Sequence, residues 1–317
     1  MNIQSPFTKI LLPLDGSERS KRAVQFTGHM RDYMGGNISG ITLLHVIQER
    51  YSSRHLSYID FRAENLKQSD VFKKIRDHFI SKEVMPFLDE GEKILKGSGI
   101  GVEIEKHVLE GDPAHEIVRL ADEGKFSTII MARRGLSKIA GLFMGSVTSK
   151  VIGHAPCNVL VVPLSAKDKI ENILIATDGS RYSTAAALQA IEIAKRSGAN
   201  LIVTSVVPSE TGVPLDIVQS EMQRELIAEE ELKEAEKNVR HVKELAEKEG
   251  LNIPGLVLAG RPYEAIVETA KQKDIDLIVI GSHGKTGFER LFMGSVAERV
   301  IILSHCAVFV VKMSKEM

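Results

Sequence analysis

"RLFMGSVAERVIILSHCAVFVVK", residues 290–312, has an earlier copy in the same chain: "GLFMGSVTSKVIGHAPCNVLVVP", residues 141–163. Gly145 and Gly294 lie 149 positions apart, as do Cys157 and Cys306. The match continues upstream in the same order. "GDPAHEIV" from Gly111 answers "GRPYEAIV" from Gly260, and "KILLPLDGSERS" from Lys9 answers "NILIATDGSRYS" from Asn172. Ordered self-similarity of this kind identifies a duplicated domain. The offsets also locate divergence, because Asp15 and Asp178 are 163 apart and Val46 and Val206 are 160 apart. The first copy therefore carries 14 net extra residues before Gly111, three before Val46 and 11 between Val46 and Gly111. The boundary falls at the charged "LSAKDKIE", which predicts domains over 1–165 and 170–317, the first with the longer insertion.

Each copy alternates strand and helix patterns. In the second, "NILIAT", "LIVTSVV", "GLVLAG", "DLIVIG" and "CAVFVVK" are short apolar runs suited to buried parallel strands. "STAAALQAIEIAKRSG" has helical apolar spacing, a hydroxyl start and a glycine stop. A long charged helix is expected from about Glu221 to Glu249, its Glu–Lys pairs marking a solvated face, and Pro262 is expected to open the next helix. Such alternation predicts a parallel sheet covered on both faces, with any ligand bound beyond the carboxyl ends of the strands, where the strand order switches.

The 317 residues, 43% hydrophobic and 26% charged, are those of two ordinary globular domains. A net charge of −1 supplies no global field for nucleic acid or anionic lipid, and the absence of Trp leaves few stacking platforms for single strands. No stretch approaches transmembrane length, and the start "MNIQSPFTKILLPLDGS" has no basic segment before its apolar run. Cys157 and Cys306 form neither a disulfide framework nor a metal cluster and read as small buried side chains. The expectation is a cytoplasmic protein with no nucleic-acid or membrane partner.

The chemistry lies in "GSHGKTGFERLFMGS", from Gly281 to Ser295. It starts at the end of "DLIVIG" and stops where a helix opens at Gly294–Ser295. A helix start offers free N–H groups and the positive end of its dipole to a phosphate. Gly281, Gly284 and Gly294 allow close backbone approach. The same features also fit plain turns, with Ser295 doing no more than capping the helix.

The spacing Gly281-x2-Gly284-x9-Gly294-Ser295, the strand end "ATDGS", "GRP" and the final "CAVFVVK" resemble, in this order, the ATP-binding signature of universal stress proteins. The resemblance covers almost all of both copies. It implies an α/β fold: two tandem Rossmann-like domains, each a five-stranded parallel sheet flanked by helices. It also implies the roles of individual positions. Ala176 and Asp178 would lie at the first strand end, the carboxylate on the adenosine moiety, although aspartate is equally a favoured helix cap. Val206 would pack on adenine. Ile280, Gly281, His283 and Gly284 would surround ribose and phosphates, and Gly294, Ser295 and Val296 would hold the phosphate tail. Ala176 departs from the proline frequent two residues before that aspartate.

The first copy keeps Pro13, Asp15, Val46, Gly135, Gly145, Ser146, Val147 and Thr148 at matching places, with Arg134 where the second has His283. Ala132 replaces the first glycine, and Arg133 stands opposite Ser282. A methyl at Ala132 could collide with a ligand, whereas an arginine here could strengthen a phosphate contact. The sequence leaves both effects open.

No Walker loop, Ser–His–Asp order or metal-binding histidine pair is present, so no catalytic or metal-ligating residue is assigned. The resemblance implies ATP, with Mg2+ or Mn2+ held by its phosphates, and weak or no hydrolysis. The reading is an ATP-binding stress-response regulator. A slow ATPase or phosphotransfer enzyme, and a scaffold with vestigial sites, are the alternatives. Family members pair through their last strands, which predicts that "CNVLVVP" and "CAVFVVK" join the two halves as an internal pseudo-dimer, an unpaired apolar edge being an aggregation hazard. Further association into a homodimer stays open.

Overall fold

The computed structural model describes residues 5–34, 38–48, 70–133, 144–208, 221–285 and 293–313. The first half runs β1 (Lys9–Pro13), α1 (Glu18–His29), a short α2 (Arg31–Met34), β2 (Gly40–Ile47) and α3 (Asp70–Phe79). A π-helical stretch over Ile80–Val84 joins α3 to α4 (Met85–Gly97), followed by β3 (Ile104–Glu110), α5 (Pro113–Glu123), β4 (Thr128–Ala132), α6 (Ser146–His154) and β5 (Asn158–Val162). The second half runs β6 (Asn172–Ala176), α7 (Arg181–Ser197), β7 (Asn200–Val207), α8 (Glu221–Lys248), β8 (Gly255–Ala259), α9 (Pro262–Gln272), β9 (Leu277–Gly281), α10 (Ser295–Leu303) and β10 (Ala307–Val311).

Local chemistry explains the boundaries. Ser180 caps α7 by accepting from Ser183 N, and Gly198 ends it in the left-handed region at φ 70°. Asp112 caps α5 in the same way, and Pro113 and Pro262 open their helices, where the missing N–H costs nothing. The all-buried β9 and β10 have the continuous apolar character of strands covered on both faces.

All ten strands form one sheet in the order β3-β2-β1-β4-β5-β10-β9-β6-β7-β8. Every neighbouring pair is parallel except β5 and β10, which join the halves antiparallel. Their register places Leu160 opposite Phe309, its own counterpart at the 149-residue offset. The local two-fold axis therefore passes through this pair, and the strands expected to join the halves do so. Phe309 is fully buried and its ring lies 5.4 Å from that of Phe7. One apolar cluster fills the sheet face under α1, α4, α7 and α8, and a second fills the face under α5, α6, α9 and α10. Both run across the junction.

The linker is fastened at both ends. Ile170 N donates to the Tyr33 hydroxyl at 2.9 Å, and Glu171 N and Asn172 N each donate to Asp276 Oδ2 at 2.9 Å. Lys167 bridges Asp274 at 2.6 Å and Asp276 at 3.1 Å. Cys157 and Cys306 are free thiols, and burial pushes them up to about 12 and about 11, so neither is a reactive thiolate at neutral pH. Among the described residues, no helix is long and apolar enough to cross a membrane.

Candidate functional site

In each half the strand order reverses between the first and fourth strands of that half. The chain leaves β6 into α7 on one sheet face and β9 into α10 on the other. This divergence opens a crevice at their carboxyl ends, where α/β sheets bind ligands.

The second half gathers its expected residues around this crevice. Ala176 ends β6 opposite Ile280 near the end of β9, both buried on the α9/α10 face, and Val206 is half-buried on the same face near the end of β7. Asp178 does not cap α7, since Ser180 holds that position. Instead, Asp178 Oδ1 accepts from Ser180 N and its Oδ2 accepts from Lys285 N, both at 3.0 Å. One carboxylate thus ties the β6 end to the loop after β9. Gly284 makes the approach possible, because a Cβ there would lie 2.9 Å from Asp178 Oδ2.

The loop then folds back. Ser282 N donates to Val311 O at 3.0 Å, and Gly294 N donates to Ser282 O at 2.9 Å. Gly294 is the N-cap of α10 and Ser295 its first helical residue, so Ser295 does not cap and its side chain is exposed. The leading N–H groups of α10, on Ser295, Val296 and Ala297, have no carbonyl within their own helix. Among the described residues, a Cβ on Gly294 would meet only ordinary contacts, His283 Cα and Ser282 O at 3.5 Å and Gly284 N at 3.7 Å. With φ −60° and ψ 140°, its backbone suits any residue. Among the described residues no contact requires glycine at 294, although a helix N-cap favours glycine over alanine by about 1 kcal/mol. Glycine also leaves this main-chain surface without a Cβ against a ligand phosphate.

One expectation needs correcting. Gly281 is not kept small for a ligand: a Cβ there would lie 2.7 Å from Tyr182 C and 2.9 Å from Ser183 N, so the start of α7 requires it. The effect of the Ala132 methyl, left open by the sequence, is placed by its packing. The side chain packs into the cluster on the α1 face, away from the face that carries Val46. His283 is held within the protein, its Nδ1 3.0 Å from Ser282 Oγ and its ring 5.1 Å from Tyr182.

The first half preserves the helix start and alters the rest. Gly145 is the buried N-cap of α6, Ser146 is exposed, Val147 half-buried and Thr148 buried. Pro13 ends β1, and Val46 is half-buried near the end of β2. Asp15 is exposed and turns onto its own loop, accepting from Ser17 N at 3.0 Å and Ser17 Oγ at 2.6 Å. Arg134 and Gly135 lie outside the described residues. Arg133 does not face a phosphate. Its Nη1 donates to Ile301 O at 2.7 Å, Ile302 O at 3.0 Å and Ser304 O at 2.6 Å, at the carboxyl end of α10 in the other half. Burial pulls its guanidinium below the ordinary arginine range.

Several residues escaped the sequence reading. Lys285 lies inside the quoted loop and pairs with Glu234 of α8. Asn238 of α8 covers Gly179, and Phe87 of α4 covers the equivalent Gly16 at 3.1 Å from a Cβ built there. Lys285 could have been found from its place in the motif. Asn238 and Phe87 carry no local signal, because long helices bring them from far along the chain.

The comparisons agree with this architecture. The family model described as "Universal stress protein family" matches twice, over residues 6–163 and 169–312. Universal stress protein MJ0531 of Methanocaldococcus jannaschii is 44% identical over 146 residues, 46% of this chain and 84% of that protein. Universal stress protein Rv1996 of Mycobacterium tuberculosis is 22% identical, covering 100% of this chain and 98% of its own length. The crystal structure of a universal stress protein from Archaeoglobus fulgidus superimposes with a TM-score of 0.68 at 25% identity, covering 96% of this chain and 98% of that one. The chain belongs to the universal stress protein family, with two family units in tandem.

Proposed function

We propose that the second half binds an adenine nucleotide, ATP, and that occupancy rather than turnover is the output, as in a nucleotide-dependent stress-response regulator. The observation that carries this reading is Gly294, a glycine that no contact among the described residues requires, facing the 282–284 backbone at the start of α10. Phosphates would lie against the N–H groups of Ser295 and Val296. Asp178 would use its remaining lone pairs on ribose hydroxyls, and Val206 would meet the base. A divalent cation, Mg2+ or Mn2+, would be carried by the phosphates.

One feature favours binding over hydrolysis. Each Asp178 oxygen already accepts a backbone N–H, which makes it an anchor rather than a poised base. Slow phosphate release abolished by Asp178→Ala would favour the enzymatic alternative, and a chain that binds no nucleotide in either half would be the vestigial scaffold.

Denaturing the purified chain and identifying what it releases tests the reading. The expected result is an adenine nucleotide at about one per chain. Two per chain would show that the first half binds as well, and none, even after saturation with ATP, would refute the proposal.

A further inference from the structure

The helix before the last strand of each half is held at its far end by a cation from the other half. In α10 that cation is Arg133, which leaves β4 with its backbone N bonded to Val162 O at 2.8 Å and its guanidinium on three carbonyls at the helix end. In α6 it is Lys312, which follows β10 and donates from Nζ to Gly153 O at 3.3 Å. Gly153 is the counterpart of Ile302, so both cations reach the same place in the repeat. Yet Arg133 corresponds to Ser282 and Lys312 to Pro163, so duplication alone does not produce the arrangement. Two different positions supply one role.

The site proposed above lies at the other end of α10. Nine residues at about 1.5 Å each make this helix roughly 13 Å long, too short to bend much between its ends. A cation on the terminal carbonyls fixes the carboxyl end and reinforces the dipole whose positive pole faces the phosphates. It also closes carbonyls that would otherwise fray. Because Arg133 is anchored by the sheet of the first half, that half sets the position of α10 relative to the loop over 282–285.

We propose that Arg133 is a positioning residue for the second half's phosphate cradle, coupling that site to the first half through α10. The proposal rests on nucleotide binding at Gly294–Val296. Arg133 touches no ligand and acts only through the helix.

The test measures ATP affinity by titration calorimetry, and amide hydrogen exchange over 296–303, in the full chain. Wild type, Arg133→Ala and Arg133→Lys are compared. The removed charge should weaken ATP binding in Arg133→Ala by roughly two- to fivefold, as expected for a charge at a helix end. Exchange over 296–303 should quicken, and Arg133→Lys should recover most of both effects. If Arg133→Ala does not fold, the comparison passes to Arg133→Gln, which keeps the length and loses the charge. Unchanged affinity in a folded neutral variant overturns the proposal, whether or not exchange quickens, and so does unchanged exchange. Failure of wild type to bind ATP refutes the function itself and this inference with it, and is distinguished by appearing before any substitution.

Discussion

The two turns that follow β4 and β9 began as copies and now do different jobs. Arg133 leaves its own crevice to grip the end of α10, whereas Ser282, its counterpart, stays home beside His283. Asp15 closes a local turn with Ser17, whereas Asp178 reaches across to Lys285. Phe87 covers one strand-end glycine and Asn238 the other. The helix starts, Gly145–Ser146 and Gly294–Ser295, did not diverge. Each half braces the other, through Arg133 and Lys312, but only in the second does the loop after the fourth strand stay bonded to the end of the first.

The largest effect should come from what the halves share. Phe309→Ala empties the two-fold position and should cost about 3–5 kcal/mol, with Leu160→Ala close behind at about 2–5 kcal/mol. Urea unfolding should show either change lowering the whole chain in one transition. Loss confined to one half would break the picture of a single continuous sheet.

Next come the paired positions 281 and 132. Gly281→Ala drives a methyl into the Tyr182 backbone and should destabilise by about 1–3 kcal/mol. Ala132→Gly should cost only about 0.5–1 kcal/mol, from backbone freedom. Equal losses in thermal melts would contradict the different roles assigned to the two positions.

The aspartates sharpen the contrast. Asp178→Ala removes charge-assisted bonds that join two strand ends, worth about 1.5–3 kcal/mol, and should also lower ATP affinity. Asp15→Ala breaks bonds only within its own turn and should cost about 1 kcal/mol or less. Denaturant midpoints and ATP titration on the two variants would check both statements.

A pH-dependent contrast concerns the braces. Burial pulls Lys312 from its usual 10.5 down to about 8, whereas Arg133 stays charged. The folded chain therefore binds this proton less tightly than the unfolded chain. Its charge opposes folding fully below about pH 8, and that penalty is relieved as pH rises toward 10.5. Wild type should gain stability relative to Lys312→Met across that window, measured by urea midpoints at paired pH values. A constant difference would show that the amine is not desolvated.

The repeat and the strands were legible because each is written in local periodicity or in ordered self-similarity, and the pairing of the last strands was implied by the family resemblance. Gly294–Ser295 was legible as a helix start for the same reason. The roles of Gly281 and Ala132 were not, because a sequence shows that a side chain is small without showing which face it points to. Arg133 misled in a related way: its neighbours in sequence form one crevice, while its guanidinium is bonded in the other half. Long-range partners such as Asn238 and Glu234 leave no mark near the motif they touch.

ATP titration of wild type against Gly294→Ala tests the central claim most directly. Among the described residues this methyl would lie 3.5 Å or more from its neighbours, so stability should fall only by about 1 kcal/mol, the cost of alanine at an N-cap, while affinity falls about tenfold, the equivalent of ~1.4 kcal/mol. A variant that binds ATP as well as wild type would contradict the placement of the phosphates at the start of α10.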